Sequence, residues 1–153
     1  MAQTNNQPTG TIKDSTFAEA ILPKATPISN VLQKPLNLAT GSIFKVLSGS
    51  TENVKDSDGN DTVRAVYKVQ SLNSKLLPLT TEFEIKVKGQ PCVLKEQDNV
   101  DIMFNSRMII VAFDGLSHWS FNGREGLNAI GVRVLHLSQD QIVKIVGGNH
   151  ANN

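Results

Sequence analysis

The chain has 153 residues, 15 Lys and Arg against 14 Asp and Glu for a formal charge of +1, and a single cysteine. That length suits one domain, the lone Cys92 excludes an intrachain disulfide framework, and no stretch approaches the roughly eighteen apolar residues of a membrane span. The near-zero charge supplies no overall field to steer a polyanion, so a nucleic-acid ligand requires the bases to be gathered on one face.

The first residues, Met1-Ala2-Gln3-Thr4-Asn5-Asn6-Gln7-Pro8, lack the basic and apolar regions of a secretory signal, and a soluble, cytoplasmic protein with no membrane partner is expected. Residues 1–13 are rich in Asn, Gln and Thr with almost nothing apolar, which predicts a flexible N-terminal arm. Over 14–40, Phe17, Ile21, Leu22, Ile28, Val31 and Leu32 supply apolar anchors, but Pro23, Pro27 and Pro35 forbid a long helix. A helical turn after Asp14 or Ser15 followed by an extended strap is expected there.

From Gly41 short β-prone runs alternate with turn residues, the pattern of an all-β barrel or sandwich with small α content over 41–137. Strands at 42–54 and 62–71 flank the hairpin loop Lys55-Asp56-Ser57-Asp58-Gly59-Asn60-Asp61. In the second of these, Val63, Ala65, Tyr67 and Val69 share one face and Arg64, Val66, Lys68 and Gln70 the other. The strand at 81–88 alternates more cleanly, with Phe83, Ile85 and Val87 inward and Glu82, Glu84, Lys86 and Lys88 outward. Further strands are expected at 99–104, with Val100 and Ile102 inward, and at 108–113, 117–121 and 130–137. Gly89, Asn105-Ser106 and Asp114-Gly115 read as turns between neighbouring antiparallel strands, and Asn122-Gly123 as a further break. Residues 138–146 suit a short helix capped by Ser138 and ended by Gly147-Gly148, before a frayed polar tail to Asn153.

Catalytic chemistry has no foothold in the sequence. The loop Asp56 to Asp61 resembles a calcium loop in its alternating oxygens, but its Gly59 sits early and position twelve is Tyr67 where a bidentate Glu is needed. His118, His136 and His150 lack partners at metal-ligand spacing, and there is no phosphate loop, nucleophile elbow or Cys-x-x-Cys motif. A non-enzymatic protein without metal or cofactor is expected.

Aromatic and basic residues are distributed more tellingly. Trp119 and Phe121 lie two apart on one strand, sharing a face just before Arg124, in a chain with one Trp, one Tyr and six Phe. Such a pair is either core, the commoner fate where aromatics are few, or a stacking platform on which any base rests while Lys or Arg neighbours take the phosphates. Arg64 and Lys68 share one strand face, as do Lys86 and Lys88 on the next, giving either a basic stripe or a solvated face balanced by Glu82 and Glu84. Tyr67 points opposite to Arg64, into the core or toward another part of a groove.

The patches Val66-Tyr67-Lys68-Val69-Gln70-Ser71, Val100-Asp101-Ile102, Ala112-Phe113-Asp114-Gly115, His118-Trp119-Ser120-Phe121 and Asp14-Ser15-Thr16-Phe17 resemble a family of small proteins of conjugative plasmids and integrative elements, the YdcP-like and PrgE-like proteins. The resemblance implies an OB-fold, a five-stranded antiparallel β-barrel, that binds single-stranded DNA and supports element replication and transfer. Arg64, Tyr67, Lys68, Lys86, Lys88, Trp119, Phe121 and Arg124 are then the candidate nucleic-acid-binding residues. The chain departs from ordinary bacterial single-strand-binding proteins in ending on the neutral Asn149-His150-Ala151-Asn152-Asn153, which puts recruitment of replication or conjugation proteins by an acidic tail in doubt.

Cooperative self-association through the N-terminal arm is a further expectation, since such coating is common along single strands. Two other readings stay open: a β-barrel adaptor or structural subunit of a phage or transfer assembly, and an RNA-binding OB domain.

Overall fold

The computed structural model describes residues 35–79 and 81–151, with side chains described to Gly148. The arm expected at 1–13 and the helical turn expected after Asp14 lie outside the described residues, whereas the last part of the expected strap, 35–40, is helical rather than extended. Seven strands follow: β1 (Phe44–Lys55), β2 (Asp61–Ser71), β3 (Glu82–Lys88), β4 (Ile110–Asp114), β5 (Ser117–Phe121), β6 (Arg124–Ala129) and β7 (Gly131–Leu135). Helix α1 (Glu96–Met103) lies between β3 and β4, and α2 (Gln139–Ala151) follows β7.

The strands form one mixed sheet in the order β5-β6-β3-β2-β1-β4-β7, curled into a half-barrel, so the molecule is mostly β with few helices. β1, β2 and β3 make an antiparallel meander, while β6 joins β3 in parallel through Ile85 opposite Leu127 and Val87 opposite Ala129. The start of β1 is sandwiched, with Phe44 opposite both Ser71 of β2 and Val111 of β4. Between Val46 and Ser48 the register with β2 slips at Leu47, a bulge that bends the strand and increases its twist.

Period-two alternation holds where it was clearest in the sequence. Ala65, Tyr67, Val69, Ile85 and Val87 are fully buried, joined by Phe44, Val46 and Val111. Phe44 meets Phe113 and Phe83 edge-on at centroid separations of 5.4 and 6.5 Å, and Tyr67 meets Phe113 at 5.6 Å, so the core is knitted by edge-to-face aromatic pairs. The loop between β1 and β2 closes as expected: the Asp56 carboxylate accepts from the backbone N–H groups of Asp58 and Asn60 at 2.9 and 2.8 Å.

The strand expected at 99–104 is instead helix α1. Asp98 at its third position accepts from the Lys95 N–H at 2.8 Å, and Asn105, at φ 57, ends it in the left-handed region. Ile102 plugs the core from this helix, but Val100 is exposed and does not face inward. Asn99 holds α1 against the edge of β1: its Oδ1 accepts from Gly49 N–H and its Nδ2 donates to Gly49 O, both at 2.9 Å. One side-chain amide thus does for β1 what a neighbouring strand's peptide would.

The turns also differ in part. Gly89 leads toward α1 rather than directly into an antiparallel neighbour, and Asn105-Ser106 is a helix terminus. Asn122-Gly123, at φ 51 and 73, is the two-residue hairpin turn, joining β5 to a strand, β6, that the sequence did not reveal. Asp114-Gly115 is a kink: β4 continues past it into β5, and β6 continues past Ile130 into β7, so 110–135 is one long hairpin whose arms bend together. The Ile130 N–H bonds Asp114 O at 2.8 Å at that bend. Ser138 caps α2, its hydroxyl accepting from Gln141 N–H at 3.2 Å, but Gly147 and Gly148 lie within the helix rather than ending it.

Candidate nucleic-acid interface

The hairpin turn fixes which side chains meet across β5 and β6. With Asn122-Gly123 at the tip, Phe121 lies opposite Arg124 and Trp119 opposite Gly126. Directly opposed residues project from the same face, and Ser117 opposite Asn128 carries that face on to Lys86, which pairs with Asn128 across β3. Trp119, Phe121, Arg124, Lys86 and the outward residues of β3 therefore share the outer surface of the sheet, away from Leu127 and Ile85.

Trp119 lies on the backbone of Gly126. A Cβ built on Gly126 would stand 2.8 Å from Cε2, Cζ2 and Nε1 of the indole, a separation no methyl group tolerates. The glycine is a seat for the ring, and 37 % of the Trp119 surface remains exposed. Phe121, 72 % exposed near the hairpin tip, is not core. The choice between core and surface for this pair thus falls to surface for Phe121 and to a partly covered ring against Gly126 for Trp119.

The basic residues divide. Arg64 Nε bonds Glu52 Oε2 at 2.8 Å, Lys68 approaches Glu82 at 3.3 Å and Lys86 approaches Glu84 at 3.6 Å. Lys88 stands opposite Arg64 across β2 and β3, and among the described residues neither Lys88 nor Arg124 has an ion-pair partner. The stripe expected on β2 and β3 is accordingly part balanced, with uncompensated charge at the Lys88 end of β3 and at the hairpin tip.

Tyr67 stands apart from this surface. It is fully buried, its hydroxyl accepts from Val93 N–H at 2.9 Å, and burial pushes its pKa up to about 12, against the lowering effect of that hydrogen bond. A ring in the centre of the core has no face to offer a base, so Tyr67 is withdrawn from the candidate site.

A groove of about 450 Å³ opens beside the indole, between the helical segment 35–40, the start of β3 and the β5–β6 hairpin. Phe83, Glu84, Lys86, His118, Trp119 and Glu125 are among its lining residues, and His118 Nε2 lies 3.8 Å from Glu125 Oε1. His118, Glu125 and Gly126 were not among the residues that sequence reasoning marked for binding. One signal was readable: an Asn-Gly turn after Phe121 places residue 126 opposite 119, and a glycine facing a tryptophan is the pairing that lets the ring lie flat. No protein-family model matches this chain, and comparison with curated proteins finds no match either.

Proposed function

We propose that this protein binds single-stranded DNA on the outer face of an OB-type barrel, with little sequence preference, in support of the replication and transfer of a plasmid or conjugative element. The carrying observation is Trp119, whose indole lies against the backbone of Gly126 and stays 37 % exposed, next to Lys86 and two residues from the exposed Phe121. Stacking on such a ring is sequence-tolerant because every base has a π-face, and on this reading Lys88 and Arg124 track the phosphates while Lys86 stands beside the ring. Arg64 and Lys68 add to the same face at its balanced end.

Strand order supports the OB reading. If each arm of the long 110–135 hairpin is counted as one strand, the sheet runs β1, β2, β3, return arm, outgoing arm and back to β1, with a helix between the third and fourth strands. Five strands in a partly open barrel is the OB arrangement. The resemblance to the YdcP-like and PrgE-like proteins points to the same ligand and to plasmid or element transfer. The N-terminal arm, on this reading, links protomers along the strand.

A fluorescence-polarisation titration with single-stranded and duplex oligonucleotides at two salt concentrations tests the proposal. Single strands should bind more tightly than duplex, with affinity falling as salt rises because phosphate contacts release counterions. No binding at low salt, or equal binding of duplex, would overturn it. A second reading, an adaptor that binds protein, is favoured by Met103 and Phe104 at the end of α1, 68 and 72 % exposed. Absence of nucleic-acid binding combined with self-association in sedimentation velocity would support that reading instead.

A further inference from the structure

We infer, resting on the single-strand reading above, that the groove beside Trp119 adds to that broadly sequence-tolerant binding a modest preference for a nucleobase carrying an exocyclic amino group, cytosine above all, over thymine or uracil. The exposed part of the indole, which lines the groove, supplies the stacking surface. What surrounds it is unusual for a polyanion-binding site: Glu82, Glu84 and Glu125 line the groove, against Lys86 and His118.

Those carboxylates decide which part of a nucleotide enters. The three carboxylates outnumber Lys86 in the groove wall and disfavour a phosphate there, so the strand's backbone runs outside it, toward Lys88 and Arg124, and the base edge points inward. Ionised carboxylates only accept hydrogen bonds. Cytosine N4, adenine N6 and guanine N2 donate, and the Glu-to-cytosine amine contact is an established pairing chemistry. Thymine and uracil turn carbonyl oxygens to the same carboxylates and have only the single N3–H between them to donate.

Glu84 is the best placed of the three. It lies two residues before Lys86 on β3, as Gly126 lies two before Asn128 on β6, and Lys86 and Asn128 are register partners. Glu84 therefore projects from the outer face in the row of Gly126, on which the indole rests. Its contact to Lys86, at 3.6 Å, is longer than a hydrogen bond and leaves it acceptor capacity. Glu82 follows on the same face, engaged by Lys68 at 3.3 Å.

The test compares deoxycytidine and deoxyuridine oligomers of equal length in polarisation titrations of the full chain at pH 8. These two bases share size and lack the thymine methyl group, so the amino-for-carbonyl exchange is isolated. One amine contact at the lower end of base discrimination predicts about five-fold tighter binding of the cytidine oligomer. Glu84→Gln, an exposed and nearly isosteric change, should reduce that ratio to within two-fold while leaving binding of the uridine oligomer equal or stronger; Glu82→Gln with Glu84→Gln should abolish it. Equal affinity for the two oligomers, or a preference that survives both substitutions, overturns the inference and leaves single-strand binding intact. Failure of both oligomers to bind removes the single-strand reading and this inference with it.

Discussion

Gly126→Ala should destabilise the protein when Trp119 is present and stabilise it when Trp119 is replaced by Ala. The added methyl would sit 2.8 Å from three ring atoms of the indole, so the ring must lift off the strand. An aromatic side chain buries about 150–250 Å², and losing a third to half of that at about 25 cal/mol per Å² costs roughly 1.3–3 kcal/mol. Against it stands the gain of about 0.5–1 kcal/mol from replacing Gly by Ala in a strand. The net expectation is a loss of about 1–2 kcal/mol in the otherwise unchanged protein. In a Trp119→Ala background only the gain remains, and the sign reverses. Urea denaturation of the four proteins, followed by far-UV circular dichroism, gives the coupling directly as a double-mutant cycle. If Gly126→Ala has the same sign and size in both backgrounds, the indole does not rest on the glycine and the proposed stacking platform loses its geometry.

Other outcomes follow from the same structure. Trp119→Ala should weaken single-strand binding by about 1–3 kcal/mol, roughly five-fold or more, with little change in the salt slope, whereas reversing Lys88 and Arg124 together should flatten that slope by about 1.4; polarisation titrations across a salt series separate the two. Tyr67 holds its proton to about 12 when folded against 10.0 as the ordinary value, so its contribution is full below pH 10 and is lost as pH rises from 10 to 12. The loss amounts to roughly 2–3 kcal/mol, and urea midpoints at pH 9 and 11.5 should show less alkaline loss in Tyr67→Phe than in the parent chain. Asn99→Ala leaves both the N–H and the C=O of Gly49 without their side-chain partner and should cost about 2–3 kcal/mol in a denaturant melt; an unchanged midpoint would mean that water replaces the amide without loss. Deleting residues 2–13 should leave the melt unchanged and lower cooperative coating of long oligonucleotides more than affinity for a short one; identical curves on long DNA would exclude a role for the arm.

Strands buried on one face were legible because burial writes a period of two into the sequence. Residues 63–69 and 83–87 show it plainly: Ala65, Tyr67, Val69, Ile85 and Val87 are buried, with Val63 and Phe83 half-buried at the strand starts. Residues 99–104 show that the period alone does not suffice. Val100, Ile102 and Phe104 alternate as a strand would, yet the segment is the second half of a helix whose start is set by Asp98 and whose position is set by Asn99 binding the Gly49 backbone. Only one of its residues, Ile102, is buried, so the helix writes almost no apolar stripe of its own. β6 was missed for the opposite reason: Arg124-Glu125-Gly126-Leu127-Asn128-Ala129 holds two buried residues, and its glycine, a weak strand former, is retained by what it carries on its face.

The site divides along the same line. Residue type could nominate Trp119, Phe121 and the bases, because stacking and phosphate neutralisation need those side chains whatever the fold. It could not place Tyr67, since a regular strand has two faces and only the closing of the sheet over one of them decides which is core. Nor could it say which bases are balanced: Arg64 and Glu52 are twelve residues apart and meet only because the β1–β2 register sets them opposite. His118, Glu82, Glu84 and Glu125 have no distinctive spacing, and the groove they line exists only once β6 pairs with β3 in parallel and 35–40 forms its other wall. Stacking residues are thus readable one at a time, whereas the acceptors that would distinguish one base from another are a property of register. A single-residue slip of β6 against β5 would move Gly126 from beneath Trp119 and erase the platform without changing any residue that the sequence marks for binding.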